Sequence, residues 1–369
     1  MTSSHEFLDS RDALAMPWTE SPFFERLLES SSEDPELRAM ARRFHDDGFL
    51  VLENVFSDEL IDGIVGHYDA LFDTSRSYPR RPDKPSMLTH DPNRRQDAWV
   101  ECAPVRELAC HGRVLEVLRY LYGRDPIPFQ TLNFLPGTGQ EIHSDSIHFD
   151  SLPNGYMCGV WVALEDVTED NGPLLYYPGS HHLPRIKLDD FGAWSPSGTT
   201  AASPQYNRYA EYVRAVIEAH GFEEHRLTVP KGTALIWSSN LLHGGAAVRK
   251  PDSTRLSQVT HYYFENCAYY APILSNESLG EYRAKEIFDI RTDERVPHRL
   301  NGEELQSIVV KDGRHRFGRP GRHTWTWMKQ LARHDLGTRV EGFARARGWE
   351  RLEKRARRFA NKLHLGQDD

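Results

Sequence analysis

Between residues 126 and 270 the chain contains a series of short runs with strand-like composition, each separated from the next by turn residues. The runs are Phe129–Leu135, Glu141–Phe149, Met157–Leu164, Leu174–Tyr177, Arg226–Val229, Ala234–Trp237 and Leu256–Phe264. Many short strands at such spacing are typical of an antiparallel barrel or jelly roll. We therefore predict a mainly β protein that forms either an antiparallel barrel or a jelly roll.

Helical patterns flank this β region and interrupt it once. The predicted helices run from Pro35 to Phe44, from the N-cap Ser57 towards Phe72, over Val105–Tyr122 and, inside an insertion at Leu183–Gly221, over Gln205–Ala219. A short buried strand is predicted at Phe49–Leu52, and a polar loop rich in proline and arginine at Thr74–Ala98. The aromatic residues of the insertion have the composition of a substrate lid, or alternatively of a small core of its own.

The length of 369 residues is long for one simple domain and short for three. We predict an N-terminal arm over residues 1–34 and a β domain over residues 35–275, whose lid insertion spans residues 183–221. A helical, basic C-terminal extension follows over residues 276–369.

Composition and charge exclude several classes of protein. Hydrophobic residues make up 39% and charged residues 27%, which is ordinary for a folded soluble chain. The four cysteines show no Cys-x-x-Cys spacing, so a disulfide scaffold and a thiolate zinc site are not expected. No apolar run is long enough to span a bilayer and the first residues are polar, so we expect a cytoplasmic protein.

The net charge of −9 is unevenly distributed along the chain. From Asn301 to the end there are 16 Lys and Arg residues against 9 Asp and Glu residues, so an acidic body carries a basic tail. This pattern argues against nucleic-acid binding by the whole protein. From Gly321 the tail has a narrow apolar stripe, which favours a helix docked on the body; weak contact with a membrane surface is the alternative.

The segment 137–150 contains two overlapping His-x-Asp pairs, His143 with Asp145 and His148 with Asp150. On a strand, residues i and i+2 share a face, so either pair can present an imidazole and a carboxylate to one metal ion. His243 follows a later strand and supplies a third ligand. Two histidines and one carboxylate form the facial triad of non-heme Fe(II) oxygenases, which leaves open positions for a co-substrate.

Arg255 and Ser257 lie at the start of the apolar strand that follows His243. An arginine there can bind the far carboxylate of 2-oxoglutarate bidentately, and a hydroxyl two residues later shares its face. Together with the triad, this pattern predicts an Fe(II)/2-oxoglutarate-dependent enzyme that uses O2. Another divalent metal with non-oxidative chemistry is an alternative, but Arg255 argues against it.

Other enzyme classes lack their motifs. The chain has no Gly-x-Ser-x-Gly elbow, Walker A loop, His-Glu-x-x-His or Gly-x-Gly-x-x-Gly. A non-catalytic protein of the same fold, acting as a binding or scaffold module through its basic C-terminal helix, is the alternative from a different class. A scaffold has no need of a triad and a co-substrate arginine, so the enzyme is the favoured interpretation.

The sequence resembles the phytanoyl-CoA dioxygenase family of Fe(II)/2-oxoglutarate-dependent oxygenases. The residues that carry the resemblance, between about residues 40 and 270, are Asp47-Gly-Phe-Leu-Val-Leu, Leu132-Asn-Phe-Leu-Pro-Gly, His143-Ser-Asp145, Val160-Trp-Val-Ala-Leu-Glu-Asp, Asn171-Gly-Pro-Leu, Pro178-Gly-Ser-His, His243-Gly-Gly and Arg255. The resemblance implies a double-stranded β-helix, a cupin-like jelly-roll barrel backed by α-helices on one sheet.

The resemblance also assigns roles to residues. It implies that His143, Asp145 and His243 bind iron and that Arg255 binds 2-oxoglutarate, with Asn133 and Trp161 lining the co-substrate pocket. It favours the first His-x-Asp pair, because in relatives the ligand pair follows shortly after the turn at Pro136-Gly-Thr-Gly. His148 is then a packed histidine, or one that faces substrate.

The retained carboxylate at Asp145 favours oxygen chemistry over halogenation, since halogenating relatives have a small residue at that position. Hydroxylation of an aliphatic C–H is the first expectation, followed by desaturation, epoxidation or ring formation. The substrate is expected to be a small or carrier-linked molecule. The basic loop that includes Arg80 and Arg95 either forms a solvated lid or binds an anionic substrate.

Overall fold

The computed structural model describes residues 15–73, 93–192, 204–311 and 314–318. Contacts divide the chain into two compact units, and nearly all described residues belong to the first, which comprises residues 1–303 and 307–317. This unit is mainly β with several helices, as predicted. Within the described ranges, no helix has the length and apolar character needed to cross a membrane.

Six antiparallel strands form the principal sheet, in the spatial order β1-β8-β5-β10-β3-β2. Their bounds are β1 Phe49–Leu52, β2 Arg94–Gln96, β3 Pro126–Phe134, β5 Met157–Ala163, β8 Ala234–Ser238 and β10 Ser257–Phe264. A smaller antiparallel sheet has the order β7-β6-β9, with β6 Leu174–Tyr176, β7 His225–Leu227 and β9 His243–Gly245. Neither sheet closes on itself.

The two faces of the principal sheet are covered differently, because side chains alternate along each strand. The inner face packs against the smaller sheet through a cluster that includes Trp161, Trp237, Leu235, Val259 and Leu174. The outer face packs against helices through a larger apolar cluster. The site described below lies on the inner face.

The helices lie mainly before β3. Their bounds are Phe24–Glu29, Pro35–Asp47, Asp58–Val65, Tyr68–Leu71, Ala103–Ala109 and Gly112–Tyr122, with one later helix at Pro204–His220. The second begins where the Asp34 carboxylate accepts the Glu36 N–H and ends at Gly48, whose φ of 80° is readily adopted by glycine. The Ser57 hydroxyl accepts the Leu60 N–H at 3.2 Å and caps the third, as predicted.

Two of the predicted helices are each broken into two. The helix expected from Ser57 towards Phe72 stops at Val65 and resumes at Tyr68, because Gly63 and Gly66 weaken the helix there. The helix expected over Val105–Tyr122 is interrupted between Ala109 and Gly112. The predicted helix end at Tyr122 is confirmed, and it is followed by Gly123 with a left-handed φ of 69°.

Two predictions about strands need correction. Residues 141–149 are not a strand, because Asp145–Ile147 forms a 3-10 turn and the nearest strand, β4, spans Asp150–Leu152. Arg94–Gln96 was predicted as loop but pairs with β3.

The C-terminal extension is not helical where it is described. Beyond the last strands of the β domain the chain forms one 3-10 turn and short strands, whose bounds are β12 Ile287–Asp289, β13 Glu294–Val296, β14 Arg299–Leu300, β15 Glu303–Glu304, β16 Gln306–Lys311 and β17 Arg314–Gly318. The strand β11, Ala268–Tyr270, precedes them and pairs with β4. The predicted basic helix from Gly321 lies outside the described residues, as do Arg80 and the N-terminal 14 residues.

Candidate metal centre

Three buried side chains from different parts of the chain converge on one point. His143 Nε2 lies 3.7 Å from Asp145 Oδ1, and His243 Nε2 lies 3.8 Å from the same oxygen. One ligand atom from each residue lies within 4.8 Å of the others, a spacing that fits a single metal ion. The donor set of two imidazoles and one carboxylate is the one that binds non-heme iron on one face.

The backbone brings the two histidines together. His143 and His243 form an isolated antiparallel bridge, in which each N–H donates to the other's carbonyl at 2.9 and 2.8 Å. Nδ1 of His143 lies 2.9 Å from the Glu141 carbonyl and Nδ1 of His243 lies 3.0 Å from the Leu241 carbonyl. These contacts fix the ring orientations and leave both Nε2 atoms facing Asp145.

The second oxygen of Asp145 is held by residues that sequence reasoning missed. The Trp237 indole N–H donates to Asp145 Oδ2 at 2.7 Å, and His261 Nε2 lies 3.6 Å from the same oxygen. Oδ1 is therefore the oxygen left for a metal. The Trp237 ring lies flat over Gly159 of β5, where any Cβ would overlap it. A glycine within a buried apolar strand is the sequence signal from which this close approach was predictable.

Burial and neighbouring charge set the protonation of these groups. Burial, followed by the neighbouring His243, lowers the pKa of His143 to about 3, so its imidazole is neutral and able to bind metal. Burial alone raises the pKa of Asp145, but the imidazoles of His243, His261 and His143 outweigh it and hold that pKa below its usual range. A neutral imidazole beside a carboxylate is the state that a divalent cation requires.

Arg255 is buried on the inner side of the principal sheet, with 2% of its surface exposed. Its guanidinium carbon lies 5.9 Å from the centroid of Phe134 and 5.8 Å from that of Trp161. Burial lowers the pKa of Arg255 to about 10, so the group stays charged at neutral pH. Among the residues that the structure describes, no carboxylate pairs with it.

Three buried polar atoms in this pocket have no hydrogen-bond partner: Arg255 Nε, Trp161 Nε1 and Ser257 Oγ. Register places Trp161 opposite Val259 and Ser257 opposite Phe134, all on the inner face. Buried polar groups are normally satisfied, and an unpaired buried cation is costly. A site with an unpaired guanidinium and two unpaired donors fits the distal carboxylate of a dicarboxylic acid such as 2-oxoglutarate.

Asn133, the remaining predicted co-substrate residue, is not brought to this pocket. It pairs with Gln258 across β3 and β10, and its amide donates to Gln258 Oε1 at 3.3 Å. Gln258 in turn donates to the Val105 carbonyl in the helix Ala103–Ala109. Asn133 therefore faces the helices, because Leu132 and Phe134 occupy the inner positions of the strand.

The second His-x-Asp pair is not joined to the first. Asp150 is fully buried, forms an ion pair with Arg185, and accepts the Ser151 and Gly155 backbone N–H groups. His148 lies beside the triad, with its ring centroid 5.9 Å from that of His143 and 5.7 Å from that of Tyr206. It borders the space next to the triad.

The predicted lid insertion packs on the triad segment and also has its own apolar core. The Ser144 N–H donates to the Tyr209 hydroxyl at 2.8 Å, which ties the helix Pro204–His220 to the residue between two of the ligands. Phe191, Tyr209 and Val213 form a cluster with Ile147 and Leu242. Trp194, another aromatic residue of this insertion, lies outside the described residues.

Comparison with known proteins places this site in a family. Residues 44–256 match the model of the phytanoyl-CoA dioxygenase family. Ectoine dioxygenase of Sphingopyxis alaskensis is 29% identical over 232 residues, which cover 58% of this chain and 72% of that protein. The peroxisomal phytanoyl-CoA dioxygenase of Bos taurus is 23% identical over 291 residues, covering 73% and 80%.

Among solved structures, the crystal structure of EctD from S. alaskensis with 2-oxoglutarate and 5-hydroxyectoine is similar with a TM-score of 0.47. It is 21% identical and covers 63% of this chain and 77% of that chain. The family match spans more than half of the sequence and contains the whole triad and Arg255. The chain belongs to the phytanoyl-CoA dioxygenase family of non-heme iron, 2-oxoglutarate-dependent dioxygenases.

Proposed function

We propose that this protein is an Fe(II)/2-oxoglutarate-dependent hydroxylase that oxidises an aliphatic C–H of a small or carrier-linked molecule. The observation that carries the proposal is the pairing of a buried His-Asp-His triad with a buried, unpartnered arginine on the same inner face. A scaffold protein has no use for either feature, because each lowers stability unless a ligand fills it. The scaffold alternative is therefore not favoured.

Each residue has a role in this proposal. His143, Asp145 and His243 hold Fe(II) through His143 Nε2, His243 Nε2 and Asp145 Oδ1. Arg255 pairs with the distal carboxylate of 2-oxoglutarate, while the Ser257 hydroxyl and the Trp161 N–H add hydrogen bonds to it. We further infer that the two sheets are the two halves of a double-stranded β-helix.

When bound, iron and 2-oxoglutarate supply the oxidising chemistry, in which O2 and 2-oxoglutarate give succinate, CO2 and one oxygen atom for the substrate. The chain contributes orientation and exclusion of water. The Trp237 N–H holds Asp145 Oδ2, so the carboxylate presents one oxygen to the metal. The aromatic rings of Phe149 and Phe129 line the space beyond His261 and keep it apolar.

Localisation and membrane contact stay predictions. The cytoplasmic assignment rests on the sequence, and the basic tail that would contact a membrane surface lies outside the described residues.

Turnover of 2-oxoglutarate tests the proposal. Purified protein with Fe(II), 2-oxoglutarate and O2 is expected to release succinate, and addition of substrate is expected to raise the rate and place one atom of ¹⁸O from ¹⁸O2 in the product. His243→Ala is expected to abolish succinate release while the protein stays folded by circular dichroism. Succinate release that is equal in the wild type and in His243→Ala would contradict the assignment. Product formed without ¹⁸O would contradict hydroxylation.

A further inference from the structure

A second cation, Lys285, lies close enough to act on the charge of His148, the histidine that borders the triad. Its backbone N–H donates to the Tyr269 carbonyl at 2.9 Å, and the preceding residue, Ala284, forms a bridge with Tyr270. Both tyrosines belong to β11, which pairs with β4 just after the 3-10 turn that starts at Asp145. Backbone contacts therefore hold Lys285 next to the segment that carries two of the ligands.

The Lys285 side chain lies against an aromatic wall that leads to the triad. Its Nζ is 4.0 Å from the centroid of Phe149 and 6.0 Å from that of Phe129. Both rings contact His261, with centroid distances of 5.1 and 6.2 Å. His261 Nε2 in turn lies 3.6 Å from Asp145 Oδ2. The two aromatic rings and His261 thus form a continuous series of contacts between the ammonium and Asp145 of the triad.

No anion neutralises Lys285. Within the described ranges, no carboxylate lies at ion-pair distance from its Nζ. The acidic residue that acts on it is Asp97, whose Oδ1 already accepts the Thr131 N–H and the Trp99 indole N–H. Burial lowers the pKa of Lys285 to about 8. Lys285 is a half-buried ammonium that packs on an aromatic ring without an ion-pair partner, and charged groups in such surroundings are concentrated at functional sites.

We propose that Lys285 binds an anionic group of the substrate, a carboxylate or a phosphate, while the apolar part of the substrate lies along Phe149 and Phe129 towards the triad. This inference rests on the proposed function, because it places the oxidised carbon at the triad. The proposal also gives separate binding residues to the two anions that the enzyme binds. Arg255 takes the 2-oxoglutarate carboxylate, and Lys285 takes the substrate.

Ligand binding to the anaerobic enzyme tests the role of Lys285 without requiring turnover. The protein is loaded with Fe(II) and 2-oxoglutarate, whose chelate has a weak visible absorption band. The probes are straight-chain carboxylates from butanoate to dodecanoate, alkyl phosphates of the same lengths, and the matching neutral amides. Dissociation constants come from isothermal calorimetry and from shifts of the band. The variants are Lys285→Met, Lys285→Arg and, as a matched control that removes an exposed lysine, Lys250→Met.

The wild type and Lys250→Met are expected to bind one anionic series roughly 10-fold or more tightly than the matching amides, the scale of a charge-assisted hydrogen bond. Whether carboxylates or phosphates bind more tightly identifies the group. Lys285→Met is expected to lose this preference for anions over amides, and Lys285→Arg is expected to keep it. The midpoint of the titration with 2-oxoglutarate is expected to be unchanged in both variants.

The inference is overturned if acids and amides bind equally, if no acid binds to protein that shows a normal band, or if Lys285→Met keeps the preference. It is also overturned if Lys285→Met weakens 2-oxoglutarate binding, since Lys285 then serves the co-substrate. Absence of the band in the wild type contradicts the proposed function itself, so the two failures are distinguishable.

Discussion

Replacing Trp237 by phenylalanine removes the hydrogen bond to Asp145, a proposed metal ligand. The indole N–H donates to Asp145 Oδ2 at 2.7 Å in a site where both residues are buried. A phenyl ring has no donor, and it also loses packing against Gly159, because the nearest ring atoms there, Cε2, Cζ2 and Nε1, belong to the indole alone. The Asp145 carboxylate then loses its strongest restraint, with only His261 left near Oδ2.

The expected loss of Fe(II) affinity follows from the kind of hydrogen bond that is removed. A hydrogen bond to a charged group contributes about 1.5–3 kcal/mol, and loss of a partner behind a metal ligand costs about 10–100-fold in metal affinity. Since Asp145 is one of three ligands, we expect Trp237→Phe to bind Fe(II) roughly 10–100-fold more weakly. The affinity for 2-oxoglutarate at saturating Fe(II) should change little, because Trp237 does not belong to the Arg255 pocket.

Anaerobic titration with Fe(II) in the presence of a competing chelator measures this affinity. Trp18→Phe is the matched control, because the Trp18 indole N–H also donates a buried hydrogen bond of 2.7 Å, to the Tyr120 carbonyl far from the site. This control is expected to lower the thermal midpoint and leave Fe(II) affinity unchanged. Equal Fe(II) affinity in the wild type and Trp237→Phe, with both proteins folded, would refute the reasoning.

Three further substitutions test other parts of the site. Gly159→Ala places a methyl group in the Trp237 ring, so it should destabilise the protein by about 1–3 kcal/mol and weaken Fe(II) binding; thermal melts and metal titration that match the wild type would contradict this. Ser257→Ala removes one neutral hydrogen bond, and we expect 2-oxoglutarate to bind roughly 2–10-fold more weakly in an anaerobic titration, with an unchanged midpoint arguing against the contact. Asp150→Asn breaks the buried ion pair with Arg185 and should lower the melting temperature without changing Fe(II) affinity; loss of Fe(II) would show that Asp150 belongs to the metal site.

The sequence was sufficient for the elements whose signals are local. Runs of strand-like composition between turn residues placed seven of the eight predicted strands within a few residues, and Ser57 and Gly123 marked helix ends by their own chemistry. Residues 141–149 were wrongly predicted as a strand. Their conformation depends on the bridge between His143 and His243, a long-range contact that no local sequence pattern reveals. The His-x-Asp spacing in the two pairs resembles the alternation of side chains along a strand.

Among candidate site residues, His143, Asp145 and His243 could be selected from the sequence because metal binding restricts residue type and spacing, and the structure brings the three together. The face of Asn133 depends on the register between β3 and β10, which a single strand does not reveal. Trp237 and His261 carry no motif, and only the folded arrangement brings them to Asp145. Lys285 comes from the segment predicted as a helical extension, so its place beside the triad depends on the pairing of β11 with β4.

The central claim is that one site holds Fe(II) on the triad and 2-oxoglutarate on Arg255. The most direct measurement is an anaerobic titration of Fe(II)-loaded protein with 2-oxoglutarate, followed by the visible band of the chelate. The account predicts a saturating band in the wild type, no band in His243→Ala, and a midpoint raised roughly 100-fold in Arg255→Gln, as expected for loss of a buried charge pair. A folded, iron-loaded wild type without the band, or an Arg255→Gln midpoint equal to that of the wild type, would contradict it.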